Sequence, residues 1–326
     1  MVDSVGLERH EMMLDDSGFI LPVFSVPREQ DNKVPVHRLV VVMHGAKRKV
    51  HDDTALGKGA PRDALVIAPL FAAPDSEIDG ANVLRWRGGA GFCDGGVAVN
   101  NPNITAFGAC DALIKSYLLQ HPSILELVLL GFSAGAQFFN RYAAVSHYLK
   151  SLDDSLSIQL VLGTASSWLY LDPRRIHPNI PMPIKPSTEL SEHDFLIPHA
   201  APHVPDYNRW KYGCTSIPVS ISTDSAAELR ERLFSYTTTY ILVVDDTKGI
   251  DGNLDTTPPC LLQCSSHRYS RSLVYLQYLR NVLHAPQHAT QTITVDNCGH
   301  DAGKVYACKE VLDVVFDGGH EGSNVT

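Results

Sequence analysis

The sequence lacks several features that define whole classes of protein. No apolar stretch approaches the roughly 18 residues of a membrane-spanning helix, and the first residues do not form a basic region followed by an apolar one. No cluster of Lys and Arg is longer than Lys47-Arg48-Lys49, while the net charge of the 326 residues is -9. These absences argue against nucleic acid and membranes as partners and lead us to expect a cytoplasmic protein with a small-molecule substrate.

Disulfide and metal chemistry also find little support in the sequence. The 7 cysteines are an odd number in a chain long enough to bury its own core, which favours reduced thiols. Cys260 and Cys264 could form half of a metal site, but no second Cys/His pair has a suitable spacing. His193, His199 and His203 lie in a Pro-rich stretch rather than on one helical face, so solvated or substrate-lining positions are favoured over zinc. We expect no metal and no cofactor, and nothing in the sequence fixes the oligomeric state.

What the sequence does contain is an alternation of short β-rich segments with helical ones. The central β-rich segments are continuous runs of Val, Ile and Leu, as in strands buried on both faces of a parallel sheet. The pattern predicts one α/β domain over residues 1–316 with a mostly parallel, doubly wound sheet, followed by a flexible tail at 317–326. The predicted strands are 19–26, 39–43, 64–68, 125–130, 158–162, 240–244 and 290–295. The predicted helices are about 104–120, 134–149, 225–234, 265–284 and 302–315.

The alternation of strand and helix patterns is lost between Asp172 and Pro218, where nine prolines interrupt the hydrophobic periods of both strands and helices. A stretch this long inside one domain is usually functional or disordered, and its aromatic residues argue against disorder. We therefore predict a cap over the site at about 172–218. Five aromatic residues are candidates for a substrate pocket: Phe132, Trp168, Tyr170, Trp210 and Tyr212. Ordinary packing of the cap on the body would explain their presence equally well.

The segment Gly131-Phe132-Ser133-Ala134-Gly135 follows the apolar run 125–130 and precedes a predicted helix. A buried strand that turns sharply into a helix holds its turn residue in a strained conformation, and glycines on either side let the backbones pass. Ser133 would then stand exposed above the sheet. The arrangement is that of a nucleophile elbow.

A serine nucleophile needs a base and an acid that orients it, in the chain order Ser, acid, His for this kind of fold. The predicted strand 240–244 ends in Asp245-Asp246, at the edge where catalytic groups collect in open α/β sheets. We select Asp246, and Asp245 stays open. The last predicted strand leads to His300, which Gly299 would allow to face Ser133. Other possible acids are Asp251, Asp255 and Asp301.

Donors for an oxyanion are predicted at two backbone positions. The strand 39–43 ends in His44-Gly45-Ala46, and the N–H of Ala46 could act together with that of Ala134. The side chain of His44 is expected to brace the loop rather than to transfer a proton.

These segments resemble the α/β-hydrolase superfamily and, more narrowly, a little-characterised branch of predicted serine hydrolases. The resemblance spans roughly residues 35–315 and implies the triad Ser133, Asp246 and His300. Besides the His44 turn and the elbow, the segments that carry it are 136–142, 165–172, 207–213, 246–247 with 254–255, Arg268 with Arg271, and 299–302.

The sequence therefore predicts a serine hydrolase for an ester, lactone or thioester of a small organic molecule. Alternatives on the same triad are hydrolysis of a carbon–carbon bond, as in retro-Claisen or polyketide-shortening hydrolases, and acyl transfer to an alcohol. A ligand receptor that keeps the scaffold without catalysis is a third possibility, although it would not need all three triad residues.

Overall fold

The chain folds around one central sheet, described here from a computed structural model. The structure describes residues 7–14, 18–27, 34–50, 55–88, 91–248 and 254–317. Its strands are β1 (Glu8–Met13), β2 (Ile20–Ser25), β3 (Arg38–Met43), β4 (Ala64–Pro69), β5 (Val97–Ala98), β6 (Asn101–Thr105), β7 (Glu126–Phe132), β8 (Ser157–Gly163), β9 (Arg175–Ile176), β10 (Phe195–Leu196), β11 (Thr237–Val243) and β12 (Gln291–Val295). The described α-helices are Ala106–Gln120, Ala134–Val145, His147–Lys150, Ala226–Phe234, Pro258–Leu261, Arg268–Gln277, Ala302–Tyr306 and Lys309–Leu312.

Within the described ranges, eight strands form the central sheet in the order β1-β2-β4-β3-β7-β8-β11-β12. The pairs β1/β2 and β2/β4 are antiparallel, and every pair from β4 to β12 is parallel. The predicted mostly parallel sheet is confirmed. After β3 the chain moves outward to β4 and then returns to β7 on the other side of β3. The carboxyl ends of β3 and β7 therefore border a topological switch point, where open α/β sheets bind ligands.

Alternate residues of the central strands belong to two apolar cores, one on each face of the sheet. In β3, Leu39 and Val41 belong to one core, whereas Val40 and Val42 belong to the other, and all four are fully buried. Because successive side chains of a strand point to opposite faces, a strand covered by helices on both sides must be apolar throughout. This requirement explains the continuous Val/Ile/Leu runs in the sequence.

One strand of the sheet was not predicted. β1 carries the sequence Glu-Arg-His-Glu-Met-Met, and its residues are partly or largely exposed. As an antiparallel edge strand it has no second core to face, so the apolar run that marks the central strands is missing.

Three predicted helices are shorter or interrupted. The helix predicted at 134–149 ends at Val145, and Ser146 then caps a separate short helix by accepting a hydrogen bond from the N–H of Leu149. The helix predicted at 265–284 begins at Arg268, with His267 as its N-cap, and continues as a π-helical turn at Tyr278–Val282. The segment predicted at 302–315 is two short helices and a π-helical turn. Single capping hydrogen bonds, from the N–H groups of Leu149 and Ser270 to the side chains of Ser146 and His267, set two of these boundaries, and the hydrophobic period of the sequence does not report them.

The segment 172–218 contains little regular structure, as predicted from its prolines. Its described elements include the two-stranded sheet of β9 and β10 and two short 3-10 helices, Glu192–Asp194 and Ala201–His203. The fully buried Arg175 donates hydrogen bonds to the carbonyls of Tyr207 and Tyr212. A buried guanidinium thus holds the second half of the segment against the first.

Two further findings concern sequence predictions. No helix in the part of the chain that the structure describes is long and apolar enough to cross a membrane. The seven cysteines, which all lie in the described ranges, are free thiols. Of the predicted tail, residues 318–326 lie outside the described residues.

Candidate active site

Ser133 stands at a strained turn between β7 and the helix Ala134–Val145. Its φ of 57° and ψ of -116° lie in a region that residues with a side chain rarely adopt. A Cβ on Gly131 would lie 2.4 Å from the backbone carbon of Gly135, and one on Gly135 would lie 2.0 Å from the carbonyl oxygen of Met43. Both positions therefore require glycine, because the new helix passes directly over β7 and the end of β3. The local sequence dictates the elbow.

Three side chains form one hydrogen-bonded chain at this turn. His300 Nε2 lies 3.0 Å from Ser133 Oγ, although 167 residues separate the two in the sequence. His300 Nδ1 lies 2.8 Å from Asp246 Oδ2. Since a carboxylate can only accept, Nδ1 carries the hydrogen and Nε2 is left to accept the proton of the Ser133 hydroxyl. The structure thus brings together the three residues that the sequence predicted to meet.

The two aspartates after β11 have different partners. The N–H of Asp246 bonds to the carbonyl of Val243, closing the tight turn that directs Asp246 to the histidine. Asp245 accepts hydrogen bonds from the N–H groups of Cys298 and Gly299, at 3.3 and 2.8 Å. Asp245 therefore holds the loop that carries His300. Gly299, with a φ of 57°, provides the bend in that loop.

The Asp246 carboxylate is almost completely buried, with 1% of the residue exposed. Arg268, itself fully buried, places Nη1 3.8 Å from Asp246 Oδ1. Burial lowers the pKa of the nearby His267 imidazole, against the opposing effect of Asp246. On the other side, the Phe132 ring packs on the His300 ring with centroids 4.9 Å apart, which restricts the orientation of the imidazole.

His44 braces the turn that follows β3. Its Nδ1 lies 2.9 Å from the carbonyl oxygen of Gly45, and its Nε2 accepts a hydrogen bond from the N–H of Phe71 at 3.0 Å. Complete burial lowers the pKa of His44 to about 3, so the imidazole is neutral at physiological pH. The turn is closed by a hydrogen bond from the N–H of Arg48 to the Gly45 carbonyl, which leaves Ala46 at its tip.

A cavity of about 190 Å³ opens beside Ser133. Its lining residues come from two groups, the turn after β3 and the elbow with the histidine loop. They are Gly45, Ala46, Lys47, Arg48, Lys49, Phe132, Ser133, His300, Asp301 and Ala302. The segment 172–218 contributes none of these residues, so its role as a cap over Ser133 stays a prediction.

The predicted aromatic pocket residues have different positions. Phe132 lines the cavity. Trp168 is buried and stacks on Tyr275, with ring centroids 4.9 Å apart, and Tyr170 is buried beneath the Arg175 guanidinium at 4.3 Å. The structure therefore places these two in the core, the packing alternative that the sequence left open.

Trp210 and Tyr212 connect the 172–218 segment to the body of the domain. Trp210 Nε1 donates to the carbonyl of Asp94 at 2.8 Å. The Tyr212 hydroxyl donates to Asp255 Oδ2 at 2.7 Å. Neither lines the cavity beside Ser133.

The remaining candidate acids have other contacts. Asp255 bonds to Tyr212 and Thr257, and Asp301 caps the helix Ala302–Tyr306 through the N–H of Lys304. Asp251 lies outside the described residues. Lys47 and Lys49 also line the cavity, a role that the sequence did not predict although they belong to its longest run of Lys and Arg.

Comparison with solved structures identifies the fold. The chain is similar to poly(aspartic acid) hydrolase-1 from Sphingomonas sp. KT-1, with 17% identity over 95% of this chain and 98% of that chain and a TM-score of 0.62. It is similar to LpqC, a poly(3-hydroxybutyrate) depolymerase from Bordetella parapertussis, with 19% identity over 95% of this chain and 91% of that chain and a TM-score of 0.63. No family model and no curated protein matches the sequence. The chain has the α/β-hydrolase fold, as predicted, and the narrower branch stays a prediction.

Proposed function

We propose that the protein is a serine hydrolase that cleaves an ester, lactone or thioester through an acyl-enzyme. The observation that carries this proposal is the continuous contact from Ser133 Oγ through His300 to Asp246, with distances of 3.0 and 2.8 Å. Fold alone would not suffice, because one scaffold hosts many functions. Two solved structures with the same fold are named as a hydrolase and a depolymerase, and these names agree with hydrolysis as the reaction class.

In the proposed reaction His300 Nε2 takes the proton of Ser133 as Oγ attacks the carbonyl carbon of the substrate. Asp246 holds the imidazole in the required tautomer and stabilises the imidazolium that forms. Collapse of the tetrahedral intermediate expels the alcohol or thiol, which receives the proton from His300. Water, deprotonated by His300, then attacks the carbonyl carbon of the acyl-enzyme. The bond from that carbon to Ser133 Oγ breaks, His300 returns the proton to Oγ, and the acid is released.

The negative charge of the tetrahedral intermediate would be stabilised by the N–H groups of Ala46 and Ala134. Ala134 is the first residue of its helix, where backbone N–H groups have no partner within the helix. Ala46 is at the tip of the braced turn and lines the cavity with Ser133. Two fixed donors next to the nucleophile are the arrangement that acyl transfer requires.

A fluorophosphonate probe and a 4-nitrophenyl ester test this proposal together. We expect the wild-type protein to be labelled at Ser133 and to release 4-nitrophenol, and Ser133→Ala to abolish labelling. Ser133→Ala and His300→Gln should each lower kcat by several powers of ten. Ser216→Ala provides a matched control, because Ser216 also has a positive φ, of 53°, but does not line the cavity. Labelling that persists in Ser133→Ala would contradict the assignment.

Product analysis separates the alternatives. Release of an acid and an alcohol supports hydrolysis, whereas cleavage of a 1,3-diketone would indicate a carbon–carbon hydrolase. A new ester formed from an added alcohol would indicate acyl transfer. A protein that binds small esters but neither reacts with the probe nor turns over would be a receptor.

A further inference from the structure

The turn after β3 lines two cavities. One is the cavity of about 190 Å³ beside Ser133, and the other is a groove of about 860 Å³. Both are lined by Ala46, Lys47 and Arg48. The smaller cavity is below the usual volume of roughly 300–1,000 Å³ for a small-molecule site. A substrate at Ser133 would therefore insert one group there and extend along the basic turn.

Arg48 anchors this turn. Its guanidinium donates to the carbonyls of Trp86 and Arg87 and lies 5.4 Å from the centre of the Phe92 ring. Partial burial lowers the pKa of Arg48 to about 10, which still leaves the side chain positively charged at neutral pH. The charge of Arg48 is thus held in place by carbonyl oxygens and an aromatic face.

Lys47 and Lys49 flank this anchor and are exposed. Neither makes an ion pair with any residue that the structure describes. The carboxylate of Asp301, which also lines the cavity, already accepts the N–H of Lys304 at 3.1 Å. The larger groove is lined by Arg9, Lys47 and Arg48 together with Asp75 and Glu77, so the excess of positive charge is greater in the cavity beside Ser133. It occurs in a chain with a net charge of -9.

We propose that the substrate of this site carries a carboxylate close to the scissile ester and that Lys47 and Lys49 bind it. This inference rests on the proposed serine hydrolase activity and specifies its substrate class. Two flexible ammonium groups beside a nucleophile raise the local concentration of anionic substrates and repel cationic ones. Lys47 and Lys49 are specificity-determining residues in this assignment, and they take no part in the proton transfers.

Two matched pairs of esters test the inference. The mono-4-nitrophenyl ester of adipic acid and 4-nitrophenyl hexanoate differ by a carboxylate on the acyl side. Sodium 4-acetoxybenzoate and methyl 4-acetoxybenzoate differ by a carboxylate on the leaving group. For each pair the ratio of kcat/KM, anionic over neutral, is measured for the wild type, for Lys47→Glu/Lys49→Glu, and for Lys115→Glu/Lys150→Glu. Lys115→Glu/Lys150→Glu is the control. It changes the net charge by the same amount as Lys47→Glu/Lys49→Glu, at two exposed lysines that do not line the cavity.

We expect the wild-type enzyme to prefer the anionic member of at least one pair by about tenfold, a preference that weakens as the salt concentration rises. Lys47→Glu/Lys49→Glu should lower this ratio by about tenfold or more, and Lys115→Glu/Lys150→Glu should leave it unchanged. A wild-type enzyme that reacts with the fluorophosphonate probe but shows no preference in either pair overturns the inference and leaves the proposed function intact. A preference that survives in Lys47→Glu/Lys49→Glu, or is lost equally in the control, also overturns it. Absence of both labelling and hydrolysis would overturn the proposed function.

Discussion

The carboxylate of Asp246 lies 2.8 Å from His300 Nδ1. The adjacent Asp245 carboxylate instead accepts hydrogen bonds from the backbone of Cys298 and Gly299 in the same loop. Two neighbouring acids therefore act on one histidine in different ways, Asp246 through the ring and Asp245 through the loop.

Substitution of these two acids should separate their roles. We expect Asp246→Asn to lower kcat by about 10³ to 10⁴, because an amide can donate to Nδ1 and stabilise the unproductive tautomer. Asp245→Asn keeps acceptor capacity toward the loop and should cost about tenfold or less. Steady-state hydrolysis of a 4-nitrophenyl ester measures both. A larger loss in Asp245→Asn than in Asp246→Asn would contradict the assigned acid.

The buried His44 should make stability depend on pH. Its pKa is about 3 in the folded protein and 6.5 in the unfolded chain, so the unfolded state binds more protons between these values. The free energy of unfolding should therefore fall as the pH decreases below 6.5, by up to about 1.4 kcal/mol per pH unit from this residue. Urea denaturation at pH values from 4.5 to 7.5 measures this slope.

The matched variant for this prediction is His44→Gln, whose side chain does not titrate. It should be less stable than the wild type at pH 7, since contacts to Gly45 and Phe71 are altered, but its stability should vary less with pH. An identical slope in His44→Gln and the wild type would show that other groups cause the dependence.

A methyl group at Gly135 should disrupt the elbow. The added Cβ would lie 2.0 Å from the carbonyl oxygen of Met43, which is backbone and cannot rotate away. We expect Gly135→Ala to destabilise the fold by about 2 kcal/mol or more, or to prevent soluble expression. Gly59→Ala is the control, because its Cβ would meet no described atom within 4 Å. Equal thermal midpoints for the two variants would contradict the close approach.

Replacement of Arg175 should loosen the 172–218 segment. The guanidinium is fully buried and donates to carbonyls of Asp172, Arg174, Tyr207 and Tyr212. Arg175→Met leaves these buried acceptors without a partner, and we expect a cost of about 3 kcal/mol or more in denaturation. Arg174→Met, which removes partly exposed ion pairs with Asp172 and Glu192, should cost about 1 kcal/mol or less. Similar losses in the two variants would contradict a special role for Arg175.

Much of the scaffold could be predicted because its signals are local. The apolar run of β7, followed by glycines two residues before and two after Ser133, specifies a buried strand, a strained turn and a helix. β1 was missed because an exposed edge strand has no such run. The helix begins at Arg268 because His267 caps it through a single hydrogen bond. The hydrophobic period of the sequence does not reveal such a cap.

Residue types and chain order by themselves determined the α/β architecture and indicated that Ser133, an aspartate after β11 and His300 lie at one edge of the sheet, because the strand ends of a parallel sheet converge on one edge whatever the details. Only the tertiary structure decided which of two adjacent aspartates contacts His300, since this depends on one turn after β11. It also decided that Trp168 packs against Tyr275 rather than lining the cavity beside Ser133, and that Lys47 and Lys49 line that cavity. Packing between distant segments sets the direction of a side chain, and a linear sequence does not specify those neighbours.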